Sequence, residues 1–115
     1  MSSIQESAQA LEQALRESEE FQGLKSAYEA VMNNEVAKKL FDNFRDVQIE
    51  LQQKQMQGLE ITEEEVDKAR KVVATVQQHE QISMLMAEEQ RVNDLINEVS
   101  RTITKPLEEL YSQQA

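Results

Sequence analysis

The chain of 115 residues contains only two glycines and one proline, and this scarcity of turn-forming residues restricts the folds that it can adopt. A β-sheet protein needs frequent turns, and its strands favour β-branched and aromatic side chains. Aromatic residues make up only 4% of this chain, which is instead rich in Glu, Gln, Leu and Ala. Because these residues favour helix, the sequence predicts an all-α protein. We expect five or six helices, built from antiparallel helical hairpins, in an elongated molecule.

The length, net charge and composition of the chain limit the number of domains, the kinds of partner and the kinds of site that we expect. One domain, residues 1–115, is expected at this length. The net charge of -10 repels phosphate backbones, and no basic patch opposes it, so direct binding of nucleic acid is not expected. The absence of cysteine excludes disulfides, Cys-based zinc sites and thiol catalysis, and fits a cytoplasmic protein. Without an apolar run of about 20 residues or the pattern of a signal peptide, no membrane insertion is expected.

Capping signals predict where the first helices begin. Ser3 and Glu6 have the spacing of a capping box, in which the hydroxyl and the carboxylate each accept a hydrogen bond from a backbone amide. Ser18 predicts a second start, and either Asn33 or Asn34 is predicted to cap a long third helix that extends to about Gln57. Gly23, inside the second helix, is expected to permit close packing or a bend.

A helical hairpin is predicted in the middle of the chain. Gly58 is expected to end the third helix, and Thr62 and Glu65 form the clearest capping box in the sequence. The short connection favours antiparallel packing of residues 34–57 against residues 62–76.

The last third of the chain allows two interpretations. Apolar residues recur at helical spacing from Ile82 to Ile103, but the polar stretch 77–81 precedes them without a glycine or proline. This stretch is either a break or the midpoint of one long helix that serves two faces. Pro106 disfavours helical geometry in the residue before it, so a last short helix is predicted over residues 106–112.

No residue pattern indicates catalysis or a cofactor. His79 is the only histidine, and Ser83 stands where a zinc-protease helix would have its second histidine. Val76 occupies the position that a di-iron Glu-x-x-His motif requires for its glutamate. Phosphate-binding glycine loops, calcium loops and a nucleophilic serine elbow are also missing from the sequence. We therefore predict a protein that is not an enzyme and that has no catalytic, cofactor-binding or metal-binding residues.

Four residues are candidates for an interface or for assembly. Phe41 lies in the main apolar arc of the third helix, whereas Ile49 and Met56 lie outside that arc, about two turns apart. They are either scattered surface residues or a second contact line. Glu89 interrupts the apolar seam of the last long helix, either because the seam opens to water there or because a polar residue fixes register or assembly.

Replacement of Glu89 by leucine is expected to raise thermal stability and to disturb the oligomeric state, because it removes a charge from an apolar seam. Thermal melting and light scattering on the same sample measure both effects. If the melting temperature and the oligomeric state were both unchanged, the hypothesis that Glu89 fixes register or assembly would have no support.

Four segments resemble the YlbF/YmcA family of small helical proteins from low-GC Gram-positive bacteria, most closely its YheA branch. The likeness covers nearly the whole chain and rests on packing patterns, in Glu20–Lys25, Leu40–Gln48, Met86–Gln90 and Lys105–Tyr111. The resemblance implies a cytoplasmic, helical, self-associating protein without catalytic residues. Relatives in the family act as accessory subunits, in a complex with a third protein, in developmental regulation and in messenger-RNA processing by a membrane-bound endoribonuclease. Cysteine-bearing relatives are associated with iron–sulfur clusters, a property that cannot extend to a chain without cysteine.

The leading functional hypothesis is a protein-interaction module, an oligomeric adaptor or regulatory subunit that presents helical faces to a partner. Long helices with broad apolar arcs on so small a chain predict a homodimer or higher homo-oligomer. The alternative is a small-molecule or metal-binding bundle, with a pocket lined by Tyr28, Met32, Phe44, Met84 and Met86.

Overall fold

The computed structural model describes residues 2–113, and this part of the chain forms five helices joined by short connections. The helices are α1 (Ser3–Glu17), α2 (Glu19–Met32), α3 (Glu35–Met56), α4 (Glu63–Gln78) and α5 (Glu80–Ser112). Residues 2–113 contain no β-strand. The prediction of an all-α fold with five or six helices is confirmed.

The packing divides the chain into two units. The central unit comprises Lys25–Met86, and the terminal unit comprises the chain up to Leu24 together with the chain from Ala87 onward. Helices α2 and α5 therefore contribute residues to both units.

The central unit has an apolar core in which α3 packs against α4. Its buried side chains come from α2, α3, α4 and the beginning of α5, and they are Ala27, Val31, Ala37, Phe41, Phe44, Val47, Val76, Ile82 and Leu85. Each large apolar side chain that is fully buried contributes about 1.5–3 kcal/mol to folding. The α3 members recur every three or four residues, as the predicted core-facing arc of this helix requires.

The hairpin between α3 and α4 is confirmed, including its turn. Gly58 adopts φ 71°, a left-handed conformation that glycine tolerates without steric cost. The hydroxyl of Thr62 accepts a hydrogen bond from the amide of Glu65 at 3.2 Å. The Glu65 carboxylate in turn accepts one from the amide of Thr62, also at 3.2 Å. The predicted capping box therefore starts α4.

The carboxylate of Glu65 also pairs with Lys54 of α3, across the hairpin. The hydrogen bond from Lys54, with further hydrogen bonds from Thr62, holds the pKa of Glu65 below its ordinary value of 4.5. Because the pKa of Glu65 is lowered in the folded state, the pair stabilises the hairpin at pH values above the ordinary pKa of this carboxyl group. This stabilisation is lost as the pH falls through the lowered value.

Replacement of Glu65 by glutamine is expected to reduce the loss of stability below pH 4.5, because glutamine keeps the capping box but cannot titrate. Urea unfolding at a series of pH values measures the effect. The matched control is Glu64→Gln, which removes a neighbouring charge and leaves the Lys54 pair in place. Equal acid sensitivity in Glu65→Gln and the unchanged protein would contradict the assignment.

Of the two interpretations of residues 77–81, the break is correct. Helix α4 ends at Gln78, and His79 is extended, with φ -88° and ψ 117°, before α5 begins. The amide of His79 donates to the carbonyl of Val76 at 3.2 Å. The hydroxyl of Ser83 donates back to the carbonyl of Gln77 at 2.7 Å. Polar contacts of this kind satisfy the helix end without a glycine or proline.

The prediction of a separate helix over residues 106–112 is wrong, because Pro106 lies inside α5. Proline removes one amide donor and so deprives the carbonyl of Thr102 of its helical partner. Thr102 and its neighbours are exposed, so water can bond to this carbonyl. The helix therefore continues through the proline and ends at Ser112, where the short helix was expected to end.

Candidate interaction surface

Helix α1, which forms one side of the candidate surface, begins one residue earlier than predicted. Ser2 is its N-cap, and the predicted Ser3–Glu6 capping box is replaced by one formed by Ser2 and Gln5. The Ser2 hydroxyl accepts from the amide of Gln5 at 3.2 Å, and the Gln5 side chain accepts from the amide of Ser2 at 3.1 Å. This register places Glu6 in the first turn, where its charge interacts favourably with the helix dipole.

Ser18 separates α1 from α2, as the sequence predicted. Its hydroxyl donates to the carbonyl of Leu15 at 2.7 Å and accepts from the amide of Phe21 at 3.1 Å. The same residue thus closes one helix and caps the next. The side chain of Gln22 adds a hydrogen bond to the carbonyl of Arg16 at 2.7 Å.

Within the terminal unit, an open groove runs between α1 and α5. It consists of two neighbouring depressions, of about 490 and 820 Å³, that share Ala8, Leu11, Leu95 and Val99. We call this feature the α1–α5 groove. Its existence shows that the two helices do not close against each other along this length.

The two helices run antiparallel along the groove. Ile4, near the start of α1, shares one depression with Ile103, near the end of α5. Leu15, near the end of α1, shares the other depression with Ile96.

The rims of the α1–α5 groove are exposed and apolar. No residue of α1 is buried. Ile4 and Leu11 of α1 are 77% and 48% exposed, and Ile96 and Ile103 of α5 are 44% and 70% exposed. Each pair is seven residues apart, the spacing that keeps side chains on one face of a helix over two turns. The surface thus offers two parallel apolar lines to a further layer of helices.

The polar residues of the α1–α5 groove are hydroxyls and carboxylates. They are Ser3, Ser7, Glu12, Ser18, Glu20, Glu98, Ser100 and Thr102, and no lysine or arginine lines either depression. The carboxylate of Glu12 is already paired with Arg16 at 2.9 Å. The groove is therefore an apolar channel with a weakly acidic margin and no cluster of groups arranged for chemistry.

The apolar face of α5 continues beyond α1. Leu107, Leu110 and Tyr111 are 56%, 55% and 66% exposed. Because the first described residues of α1 lie beside Thr102 and Ile103, the last two turns of α5 have no helix of the described terminal unit alongside them. This extension is a second apolar surface without a covering layer in the same unit.

Gly23 permits a close approach to α5 at the other end of the terminal unit. A Cβ atom at this position would lie 2.5 Å from a carboxylate oxygen of Glu88. That carboxylate pairs with Arg91 at 3.1 Å. Of the two roles considered for this glycine, close packing is therefore the one that the contact supports.

Replacement of Gly23 by alanine is expected to change the free energy of unfolding by less than about 1 kcal/mol, because two effects oppose each other. Alanine gains about 1 kcal/mol in helix propensity, but it displaces the end of the flexible Glu88 side chain from its exposed ion pair. In a Glu88→Ala background the obstacle is gone, so the same change should stabilise by about 1 kcal/mol. Urea unfolding of the four proteins of this double-mutant cycle measures the coupling, and additive effects would contradict it.

The four predicted assembly residues lie on two helices and differ in exposure. Phe41, Ile49 and Met56 all belong to α3, and Glu89 belongs to α5. Phe41 is buried in the central core, at 5% exposure, whereas Ile49 and Met56 are 45% and 81% exposed. Glu89 is half-buried. Their participation in assembly stays a prediction.

The residues that line the alternative pocket do not share one environment. Phe44 is buried in the central core, whereas Tyr28 and Met84 are 45% and 56% exposed. Among residues 2–113, no three histidine or carboxylate side chains are grouped so as to hold a metal ion. No helix in the same range is long and apolar enough to cross a membrane.

Comparison with known proteins identifies close relatives. A family model described as "Control of competence regulator ComK, YlbF/YmcA" matches residues 4–108. A UPF0342 protein of Oceanobacillus iheyensis is 72% identical over 101 residues, which are 88% of this chain and 86% of the relative. The UPF0342 protein YheA of Bacillus subtilis is 62% identical over 101 residues, again 88% of this chain and 86% of the relative.

Solved structures show the same fold. A protein of unknown function (DUF964) from Bacillus stearothermophilus has a TM-score of 0.89 at 45% identity, with 96% of each chain covered. The yheA protein of Bacillus subtilis has a TM-score of 0.76 at 46% identity, with 96% of this chain and 100% of the other covered. Bacillus subtilis RicA, in a crystal structure of its complex with RicF, has a TM-score of 0.67 at 19% identity, with 94% and 96% covered.

Proposed function

The chain belongs to the YlbF/YmcA family, and from this premise we propose that it is a non-enzymatic protein-interaction module, an oligomeric adaptor or regulatory subunit in the cytoplasm. The observation that carries the proposal is the exposed apolar surface of the α1–α5 groove. Monomeric soluble proteins rarely expose long contiguous apolar surfaces, and those that do use them to bind other proteins or ligands.

Two further observations support this proposal. The structural neighbour RicA was solved in a complex with RicF, so a chain of this fold binds another protein. The side chains that line the α1–α5 groove combine an apolar floor with a few hydroxyls and carboxylates, a composition that suits a helix-in-groove contact better than proton transfer or nucleophilic attack.

The proposal extends to the process and to the assembly residues. By its family, the protein would act as an accessory factor in developmental regulation or messenger-RNA processing. It would do so through protein contacts, because its net charge of -10 disfavours direct binding of nucleic acid. The assembly candidates outside the groove rims are Phe41, Ile49, Met56 and Glu89. Phe41 would act by supporting α3 from within the core, whereas the exposed Ile49 and Met56 would act by direct contact.

The test combines two measurements on the unmodified chain. Sedimentation velocity over a range of protein concentrations is expected to show a homodimer or larger assembly. Affinity capture from source cells, with quantitative mass spectrometry, is expected to recover one protein in stoichiometric amount. A monomer that captures no protein would contradict the proposal. Native mass spectrometry that instead shows a stoichiometric small molecule or metal would favour the alternative bundle.

A further inference from the structure

We infer that the α1–α5 groove is filled by the same groove of a second copy of this chain, so that α1 and α5 of two chains form one four-helix bundle. This inference rests on the proposed function and names the surface through which self-association occurs.

The surface area indicates how much of the chain is left to cover. The chain exposes 9155 Å². A folded monomeric protein of 13.3 kDa exposes about 6,500 Å², so the excess is about 2,700 Å². Obligate dimers bury roughly 1,000–2,500 Å² on each partner. The excess is therefore large enough for an extensive interface between copies.

The architecture of the terminal unit indicates which surface is covered. Its two antiparallel helices form a single layer, and a layer with one apolar face needs a second layer to bury that face. Four-helix bundles pack two such layers through positions that repeat with a spacing of seven. The rims have this spacing on both helices, from Ile4 to Leu11 and from Ile96 to Ile103.

A two-fold axis across the groove would cover both exposed apolar surfaces of the terminal unit, the α1–α5 groove and the end of α5 that extends beyond α1. In such a contact the same patch faces itself, so the apolar rims of one chain meet those of the other. The last two turns of α5, with Leu107 and Leu110, extend beyond α1 of their own chain and would lie along the second chain. The α5 extension is then part of the interface.

Charge distinguishes a second copy from a partner of another chemistry. Each chain carries a net charge of -10, so two copies repel each other at long range, and added salt should strengthen their association by screening. A basic helix would also fit a channel with a weakly acidic margin, but added salt would weaken its binding.

The test uses charge substitutions in the groove and a matched control in the central unit. Leu11→Glu and Ile103→Glu are each expected to weaken dimerisation by at least about a hundredfold. Each substitution is present in both chains of the symmetric dimer, so the interface would bury two new carboxylates. The control is Val36→Glu, which introduces the same charge at a position of α3 that is 64% exposed and is not an assembly candidate. It is expected to leave the dimer unchanged. Sedimentation equilibrium at low and high salt gives the association constants, and circular dichroism reports whether each variant folds.

Cross-linking keeps the inference testable if a charge variant fails to fold. Because the chain contains no cysteine, a single Ile96→Cys variant should form a disulfide-linked dimer on mild oxidation, whereas Val36→Cys, at an exposed position of α3, should not. A dimer that survives both Leu11→Glu and Ile103→Glu overturns the inference and leaves self-association standing, and so does an equal loss of the dimer in Val36→Glu. A monomeric unmodified chain also overturns it, and the affinity capture above then decides the proposed function separately.

Discussion

Replacement of Ile82 by alanine is expected to lower the free energy of unfolding by about 2–5 kcal/mol. Ile82 is fully buried in the core of the central unit, together with Val31, Val76 and Leu85. Truncation removes its burial free energy and leaves a cavity that its rigid helical neighbours cannot fill completely. Because many small domains are stable by only 5–15 kcal/mol, the loss should be visible as a large shift of the urea midpoint.

The matched control is Met84→Ala, two residues away on the same helix. Met84 is 56% exposed, and its truncation should change stability by no more than about 0.5 kcal/mol. Both variants and the unmodified chain must be unfolded at one protein concentration, because self-association would otherwise add its own stabilisation. Equal losses in the two variants would show that the core of the central unit is not where the structure places it.

Replacement of Pro106 by alanine is expected to slow amide exchange in residues 107–112 by up to about a hundredfold, because proline in a helix interior costs about 3 kcal/mol relative to alanine. The substitution restores a donor for the carbonyl of Thr102 and removes the steric conflict with the ring. Hydrogen exchange of the last turns of α5, followed by mass spectrometry, reports local opening directly.

The control for this experiment is Lys105→Ala, which exchanges one good helix former for another beside the proline. It should alter exchange in residues 107–112 by only a few-fold. Exchange as fast in Pro106→Ala as in the unmodified chain would contradict a continuous helix through residue 106.

Helix starts and stops were predictable where a local hydrogen bond decides them. Thr62 and Ser18 cap helices as the sequence indicated, because a cap needs only a side-chain oxygen and a nearby backbone amide. Of the two adjacent asparagines that could cap α3, Asn34 is the one that does. The error at the start of α1 arose because Ser2 and Ser3 both carry the required hydroxyl. The error at Pro106 arose because the rule used for prediction concerns only the backbone geometry beside a proline. It does not consider that the carbonyl left without a helical donor is exposed, so that water can donate a hydrogen bond to it.

The break at His79 and the α1–α5 groove could not be deduced from sequence with the same certainty. The break depends on contacts between side chains and backbone, such as that of Ser83 with Gln77, and these have no signature in composition. Apolar residues recur at helical spacing in α1, at Ile4, Ala8, Leu11 and Leu15, but periodicity does not indicate whether a face is covered. Ile4 and Leu11 carry the same pattern as a core helix and are nevertheless exposed, because coverage depends on helices distant in sequence.

The connection between α3 and α4 offers a practical route for labelling. Leu59 and Glu60 are exposed and lie between the left-handed Gly58 and the cap of α4, and exposed loop tips of this kind accept inserted segments. A tag fused before Ser2 would stand next to Ile4 and compete for the groove. An epitope or fluorophore placed at Glu60 instead leaves α1 and α5 untouched, so that imaging and purification from living cells would follow the protein with the α1–α5 groove still accessible.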